Sequence, residues 1–239
     1  MKTIVITGGS KGLGKALAHA FLKKGNHVAV CARGEEELER LRQETQTFSG
    51  ELLAVAADVS IEKDVERFIS MTEQRFSRID VLINNAAILG PSPMPLLLDY
   101  PNRDFLHVLK VNILNPFLVT KRVLPGMLVQ GSGSIINITS EAGGTGYAGW
   151  GAYGISKFGI EGLTETWADE LAETAIRVNM VDPGSMDTEM HHLAVPERDY
   201  ELPKPEEILD VFLYLASDDS LLVTGRRFEA QQFDGGAKE

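Results

Sequence analysis

Ser140, Tyr153 and Lys157 stand in the order and spacing that a proton-transferring site requires. Tyr153 and Lys157 are four residues apart, so on a helix they share one face, one turn from each other. A free tyrosine has a pKa of about 10 and exchanges protons poorly at neutral pH. A nearby ammonium stabilises the phenolate and draws that pKa toward the working range. Ser140 follows the apolar run Ser134–Thr139, which reads as a buried strand. A hydroxyl emerging at the end of that strand can hydrogen-bond a carbonyl oxygen held over the tyrosine. The chemistry these residue types suit is proton transfer to or from a carbonyl or alcohol oxygen.

The elements that must position these groups alternate from end to end. Strands are expected at Ile4–Thr7, His27–Ala32, Leu52–Ala57, Ile79–Asn84, Ser134–Thr139, Arg177–Val181 and near Arg226–Gln231, with helical patterns between them, among them Gly12–Lys24, Glu35–Thr47 and Pro205–Ser217. Such interleaving predicts an α/β fold, a doubly wound parallel sheet with helices on both faces. Residues 1–239 read as one domain, without repeats or low-complexity segments. Two proline-bearing stretches, 89–102 and 185–204, follow expected strand ends. Ligands bind at that edge of a doubly wound sheet, so these stretches are expected to wall a substrate site.

Thr7-Gly8-Gly9-Ser10-Lys11-Gly12-Leu13-Gly14 joins the first strand to the first helix. Glycines there let the backbone approach a pyrophosphate, and the helix N-terminus offers unpaired N–H donors. The spacing is Gly-x-x-x-Gly-x-Gly, different from the commoner Gly-x-Gly-x-x-Gly. The second strand runs into Arg33, with no carboxylate before Glu35, and Lys11 adds a second cation. An acidic residue at that strand end would hold the ribose of NAD, whereas arginine accommodates the extra phosphate of NADP. The expected cofactor is NADP.

The 239 residues carry a formal net charge of −11 and no basic run, which argues against a nucleic-acid partner. No segment reaches the roughly 20 apolar residues of a membrane helix, and no secretory leader pattern precedes the first strand. The expectation is a cytoplasmic protein with no membrane partner. Cys31 is the single cysteine and falls in an expected strand, where a thiol acts as a small apolar group. His191 and His192 are adjacent, which is not metal-ligand spacing, so no metal is expected. Tyr147 and Trp150 lie between Ser140 and Tyr153 and read as pocket wall, while Glu141 has no assigned role.

Together these motifs resemble the short-chain dehydrogenase/reductase family in its compact form, along essentially the whole chain. In that family the segment matched by Thr7–Gly14 is the cofactor loop, which implicates Gly8, Ser10, Lys11, Gly12, Leu13 and Gly14. Arg33 would meet the extra phosphate, and the pair matched by Asp58-Val59 flanks the adenine. Asn84-Asn85-Ala86-Ala87 matches a motif whose last residue is usually glycine, and Asn85 and Ala86 would face the cofactor. The catalytic asparagine matches Asn112, and Asn115 stands where glycine is common. With Ser140, Tyr153 and Lys157 this completes the implied catalytic set. Lys157 and Tyr153 would also touch the nicotinamide ribose. Pro183, Gly184, Met186 and Thr188 belong to the segment that holds the carboxamide, and Met186 with Met190 could lid the substrate.

The resemblance implies hydride transfer between a nicotinamide and a carbonyl or alcohol, such as a 3-oxoacyl group or small ketone. Tyr153 would be the acid, Ser140 would orient the carbonyl, Lys157 would tune Tyr153, and Asn112 would hold a water. It also implies a homodimer or homotetramer built on helices near Asn112–Val129 and Tyr153–Ala172. Two other readings stand beside it. One is a non-catalytic NADP-binding redox sensor or scaffold, which would need only the cofactor half. The other is a sugar-nucleotide epimerase, whose relatives carry a larger C-terminal region.

Overall fold

A computed structural model of the chain describes residues 1–197 and 199–235. Seven parallel strands form one sheet: β1 (Thr3–Thr7), β2 (His27–Ala32), β3 (Leu52–Ala56), β4 (Val81–Asn84), β5 (Gly133–Ile138), β6 (Ile176–Asp182) and β7 (Arg227–Glu229). Their order is β3-β2-β1-β4-β5-β6-β7. The central strands are buried on both faces, which is why they read as continuous apolar runs. Side chains alternate across them. Ile4, Ile6, Val28 and Val30 join one core with Leu17, Leu22 and Phe212. Val5, Ala29, Leu82 and Ile135 join the other with Phe68, Val123 and Met127.

The helices that supply those partners are α1 (Gly12–Lys23), α2 (Glu35–Thr45), α3 (Glu62–Phe76), α4 (Asn102–Leu109), α5 (Asn115–Gln130), α6 (Gly151–Glu170), α7 (Glu189–Ala194) and α8 (Asp210–Ala216). A π-helical turn, Lys110–Leu114, joins α4 to α5 without a break. Gly131 ends α5 at φ 66°, a left-handed conformation that glycine adopts without strain. The polar chain Thr120–Asn84–Asn137–Thr164 bolts α5 to α6 through β4 and β5, with bonds of 2.8–3.1 Å.

Chain order reverses between β1 and β4, and there the carboxyl ends of the strands part. The expected strands are found, with ends displaced by a residue or two except at the C-terminus. There β7 covers only three residues, and Ala230–Gln232 turns into a 3-10 helix. The stretch 185–204 is not all loop: Thr188 caps α7 by accepting from the amide of His191. The helical pattern over 205–217 divides into a 3-10 turn, Pro205–Ile208, and α8.

Candidate active site

Ser140 is the second residue beyond β5, and its hydroxyl accepts from the amide of Ala142 at 3.3 Å. Tyr153 and Lys157 lie in the first two turns of α6, on the face turned to β5 and β6. The Ser140 side chain lies close enough to Tyr153 to draw its phenol pKa down. The Lys157 ammonium sits 5.3 Å over the centre of the Tyr153 ring and donates to the Ile138 carbonyl at 2.8 Å. Burial pushes the Tyr153 phenol up to about 12, against the pull of the Ser140 side chain, and the Asp182 carboxylate adds to the rise. Burial lowers Lys157 to about 8, with Asp182 acting the other way. In the chain alone desolvation thus governs the phenol. Tyr153 is therefore protonated at neutral pH, the state an acid must start from.

Asn112 lies in the π-helical turn and is 2% exposed. Its amide pairs with both backbone groups of Ile88 at 2.9 Å and donates to Ser156 at 3.0 Å. The side chain thus clamps the segment after β4 onto the turn of α6 between Tyr153 and Lys157, and its polar atoms are engaged. Asn115 is wholly buried, with neither amide atom partnered among the described residues.

The glycine loop is a mould in which side chains would not fit. A Cβ at Gly8 (φ 68°) would come within 2.9 Å of the Ala86 Cα, and one at Gly9 within 2.5 Å of Val30. A Cβ at Gly14 would overlap the Gly8 carbonyl oxygen. Asn85 donates to the carbonyls of Thr7 and Gly8 at 2.9 and 3.0 Å, and the amides of Asn85 and Ala86 donate to the Thr7 hydroxyl. Asn85 and Ala86 thus brace the loop. The N-terminus of α1, at Gly12-Leu13-Gly14 after Ser10 and Lys11, carries no side-chain cap. Its orphan N–H groups and positive dipole end suit a pyrophosphate.

At the adenosine end, Asp58 stands beside Val59. Burial opposes its charge, but the Ser60 bonds and the Arg33 guanidinium outweigh it and hold Asp58 below the usual carboxylate range. Arg33 is exposed and makes no ion pair among the described residues. Lys11 pairs with Glu37 at 3.5 Å and with Glu189 of α7 at 3.4 Å. The first turn of α2 therefore brings a carboxylate back toward the loop, which linear spacing along β2 did not indicate.

At the end of β6, the Gly184 amide (φ 70°) donates to Asp182 at 2.8 Å. Gln231 donates to the carbonyls of Pro183 and Ser185 at 3.0 and 2.8 Å. Thr188 packs over Gly12, and Met186 rests on the core beneath the sheet edge. Trp150 stands with its ring centre 5.7 Å from that of Tyr153, and Tyr147 donates to Glu141, which gives Glu141 a structural partner. Leu97 lies against Gly151, and Ser92 donates to the Leu193 carbonyl at 3.2 Å, so the two loop stretches meet. Among the described residues no group of three His, Cys, Asp or Glu could hold a metal. No helix among them is long and apolar enough to cross a membrane.

Sequence reasoning passed over one group at this site. Arg227 of β7 sends its guanidinium to Glu161 of α6 (3.0 Å), Asp182 of β6 (2.9 Å) and Glu229 (3.2 Å). Glu161 is four residues beyond Lys157, on the stripe that already carries Tyr153, and that spacing was the available signal.

With this geometry in view, the comparisons with known proteins agree. The family model described as short chain dehydrogenase matches residues 2–199. The 3-oxoacyl-[acyl-carrier-protein] reductase FabG of Thermotoga maritima is 37% identical over 235 residues, covering 94% of each chain. Levodione reductase superposes with a TM-score of 0.89 at 31% identity, over 98% of this chain and 96% of that one. The structure of ElxO with NADP bound gives 0.86 at 30% identity, over 98% of both. The cluster of Ser140, Tyr153 and Lys157, the glycine loop and these likenesses agree on one conclusion: the chain belongs to the short chain dehydrogenase family.

Proposed function

We propose that the chain is an NADP(H)-dependent carbonyl reductase, working on small or acyl-type ketones and running in reverse as an alcohol dehydrogenase. The observation that carries this reading is the gathering of Ser140, Tyr153 and Lys157 at the carboxyl edge of the sheet, with the Lys157 ammonium 5.3 Å over the Tyr153 ring. The mould of Gly8, Gly9 and Gly14 and the uncapped N-terminus of α1 fit a dinucleotide pyrophosphate. Arg33 and Lys11 would meet the extra phosphate, Asp58 and Val59 the adenine, and Pro183, Gly184 and Thr188 the carboxamide. When bound, the reduced cofactor supplies the hydride.

Ser140 and Tyr153 hold the substrate oxygen, and Tyr153 donates its proton as that oxygen gains charge. A phenol raised to about 12 remains a far stronger acid than an alcohol, so the transfer runs downhill. Lys157 keeps a positive charge next to the phenolate that results. Asn112 holds the Ile88 segment and α6 in register. The apolar Leu97, Trp150 and Leu193 at the meeting loops suit an uncharged substrate body, consistent with stretches 89–102 and 185–204 as its walls. Exposed Leu106, Leu114, Ile155 and Phe158 on α4, the π-helical turn and α6 support assembly of copies through this face in the cytoplasm.

The test follows NADPH consumption with aldehydes, ketones, diketones and 3-oxoacyl thioesters, with NADH and Tyr153→Phe alongside. Turnover in Tyr153→Phe is expected to fall by roughly 10²–10⁴-fold with cofactor affinity retained. Wild-type turnover in that variant would overturn the assignment.

A further inference from the structure

We propose that Arg227 is a positioning residue that locks three separate parts of the catalytic edge to one another through a single guanidinium. The inference rests on the roles proposed above for Ser140 and Tyr153. The guanidinium spans three elements. Its Nη2 donates to the Ser140 carbonyl at 3.4 Å and to Asp182 Oδ2 at 2.9 Å, while its Nε donates to Glu161 Oε1 at 3.0 Å.

Each contact continues into the site. The other oxygen of Asp182 accepts from the Gly184 amide at 2.8 Å, so one end of the network holds the turn assigned to the carboxamide. Glu161 Oε1 also accepts from the Thr139 hydroxyl at 2.8 Å, so another end holds the residue that precedes the catalytic serine. Glu161 itself rides on α6, on the same face as Tyr153 and Lys157. The Ser140 carbonyl accepts at the same time from the Gly143 amide at 2.8 Å, which sets the turn that aims the serine hydroxyl.

The arrangement suits arginine and no other residue. Only a planar fork reaches two carboxylates and a carbonyl in different directions at once. The partners are sheltered: the side chains of Asp182 and Glu161 are 9% and 17% exposed, and that of Arg227 is 27% exposed. Removing the cation leaves two sheltered carboxylates facing each other, and they separate or take up protons. Either response moves Ser140, the Gly184 turn or α6 relative to the rest. Misplacement by an ångström is enough to slow a reaction that depends on orientation.

The test uses Arg227→Met, which keeps the length of the side chain and removes the fork. Turnover is expressed per NADPH site counted by calorimetric titration, so inactive protein does not enter the ratio. Per-site kcat is expected to fall about tenfold or more, with a smaller change in carbonyl KM. Amide exchange at Gly143 and Gly184 is expected to quicken by at least about tenfold, while β1–β3 stays protected. Arg227→Lys keeps the charge without the fork and recovers part of kcat.

Per-site kcat within about twofold of the parent would overturn the inference, as would unchanged exchange at Gly143 and Gly184. Faster exchange spread equally into β1–β3 would reduce Arg227 to a general fold stabiliser and overturn it too. Tyr153→Phe in the same assay separates the two claims. Retained activity there defeats the proton-donor reading, whereas a dead Tyr153→Phe beside a normal Arg227→Met defeats this inference alone. The exchange measurement needs no turnover, and where Arg227→Met does not fold, Arg227→Lys is read by the same criteria.

Discussion

The two halves of the sheet prepare for their ligands in opposite ways. Around β1, β2 and β4 the chain works by leaving atoms out: Gly8, Gly9 and Gly14 let the loop fold tightly against Ala86, Val30 and itself where any Cβ would clash, and Asn85 braces it through backbone carbonyls. Around β5, β6 and β7 it works by putting charge in: Lys157, Asp182, Glu161 and Arg227 gather sheltered ionic groups behind Ser140 and Tyr153. A cradle for a constant cofactor can be rigid backbone. A site where a proton moves needs fields and orientation, and burying charges to obtain them lowers stability.

That contrast can be broken at either end. The largest effect is expected from Gly14→Ala, whose Cβ would overlap the Gly8 carbonyl and come within 2.6 Å of Asn85 Nδ2. Calorimetric titration should show NADPH affinity lower by about 100-fold or more, some 3 kcal/mol. Unchanged affinity would mean that the cradle is not needed for binding.

A smaller effect is expected from Lys157→Met, read as stability of the cofactor-free chain. Lys157 ionises near 8 when folded, below its unfolded value, so the unfolded chain binds the extra proton between about pH 8 and 10. The burden of that buried ammonium is full below pH 8 and disappears as pH rises through the window. Lys157→Met should therefore be more stable at pH 7 by about 1–3 kcal/mol, with the gain shrinking toward pH 10. Denaturant midpoints across pH measure this, and a less stable variant at pH 7 would refute it. The smallest effect is expected from Gly162→Ala in α6, where an added Cβ meets nothing within 4 Å. There alanine should stabilise by about 0.5–1 kcal/mol through helix propensity alone, visible as a small rise in Tm.

The same contrast explains what was legible in the sequence. Absent side chains leave a local signature, so the glycine loop, the strand before it and the helix after it could be read from consecutive residues. Tyr153 and Lys157 were legible because helical spacing converts sequence distance into proximity. Arg227 was not, because its partners lie 66 and 45 residues away and meet it only once β6 and β7 pair in register. Glu37 was missed for a related reason: the first turn of α2 returns its carboxylate to Lys11 across a loop. Helix α7 was read as loop because its six residues show too little periodicity to register.

The placement of Trp150 has an optical consequence. The chain has two tryptophans, and one of them stands beside Tyr153. The other, Trp167, is packed near Phe117, with its indole N–H buried and unpartnered among the described residues. Exchanging Trp167 for phenylalanine forfeits no hydrogen bond there and leaves a single indole emitter, beside Tyr153 at the proposed reaction centre. Its fluorescence overlaps the absorption of a reduced nicotinamide, so energy transfer would report each filling and emptying of the site in real time, before any substrate has been identified.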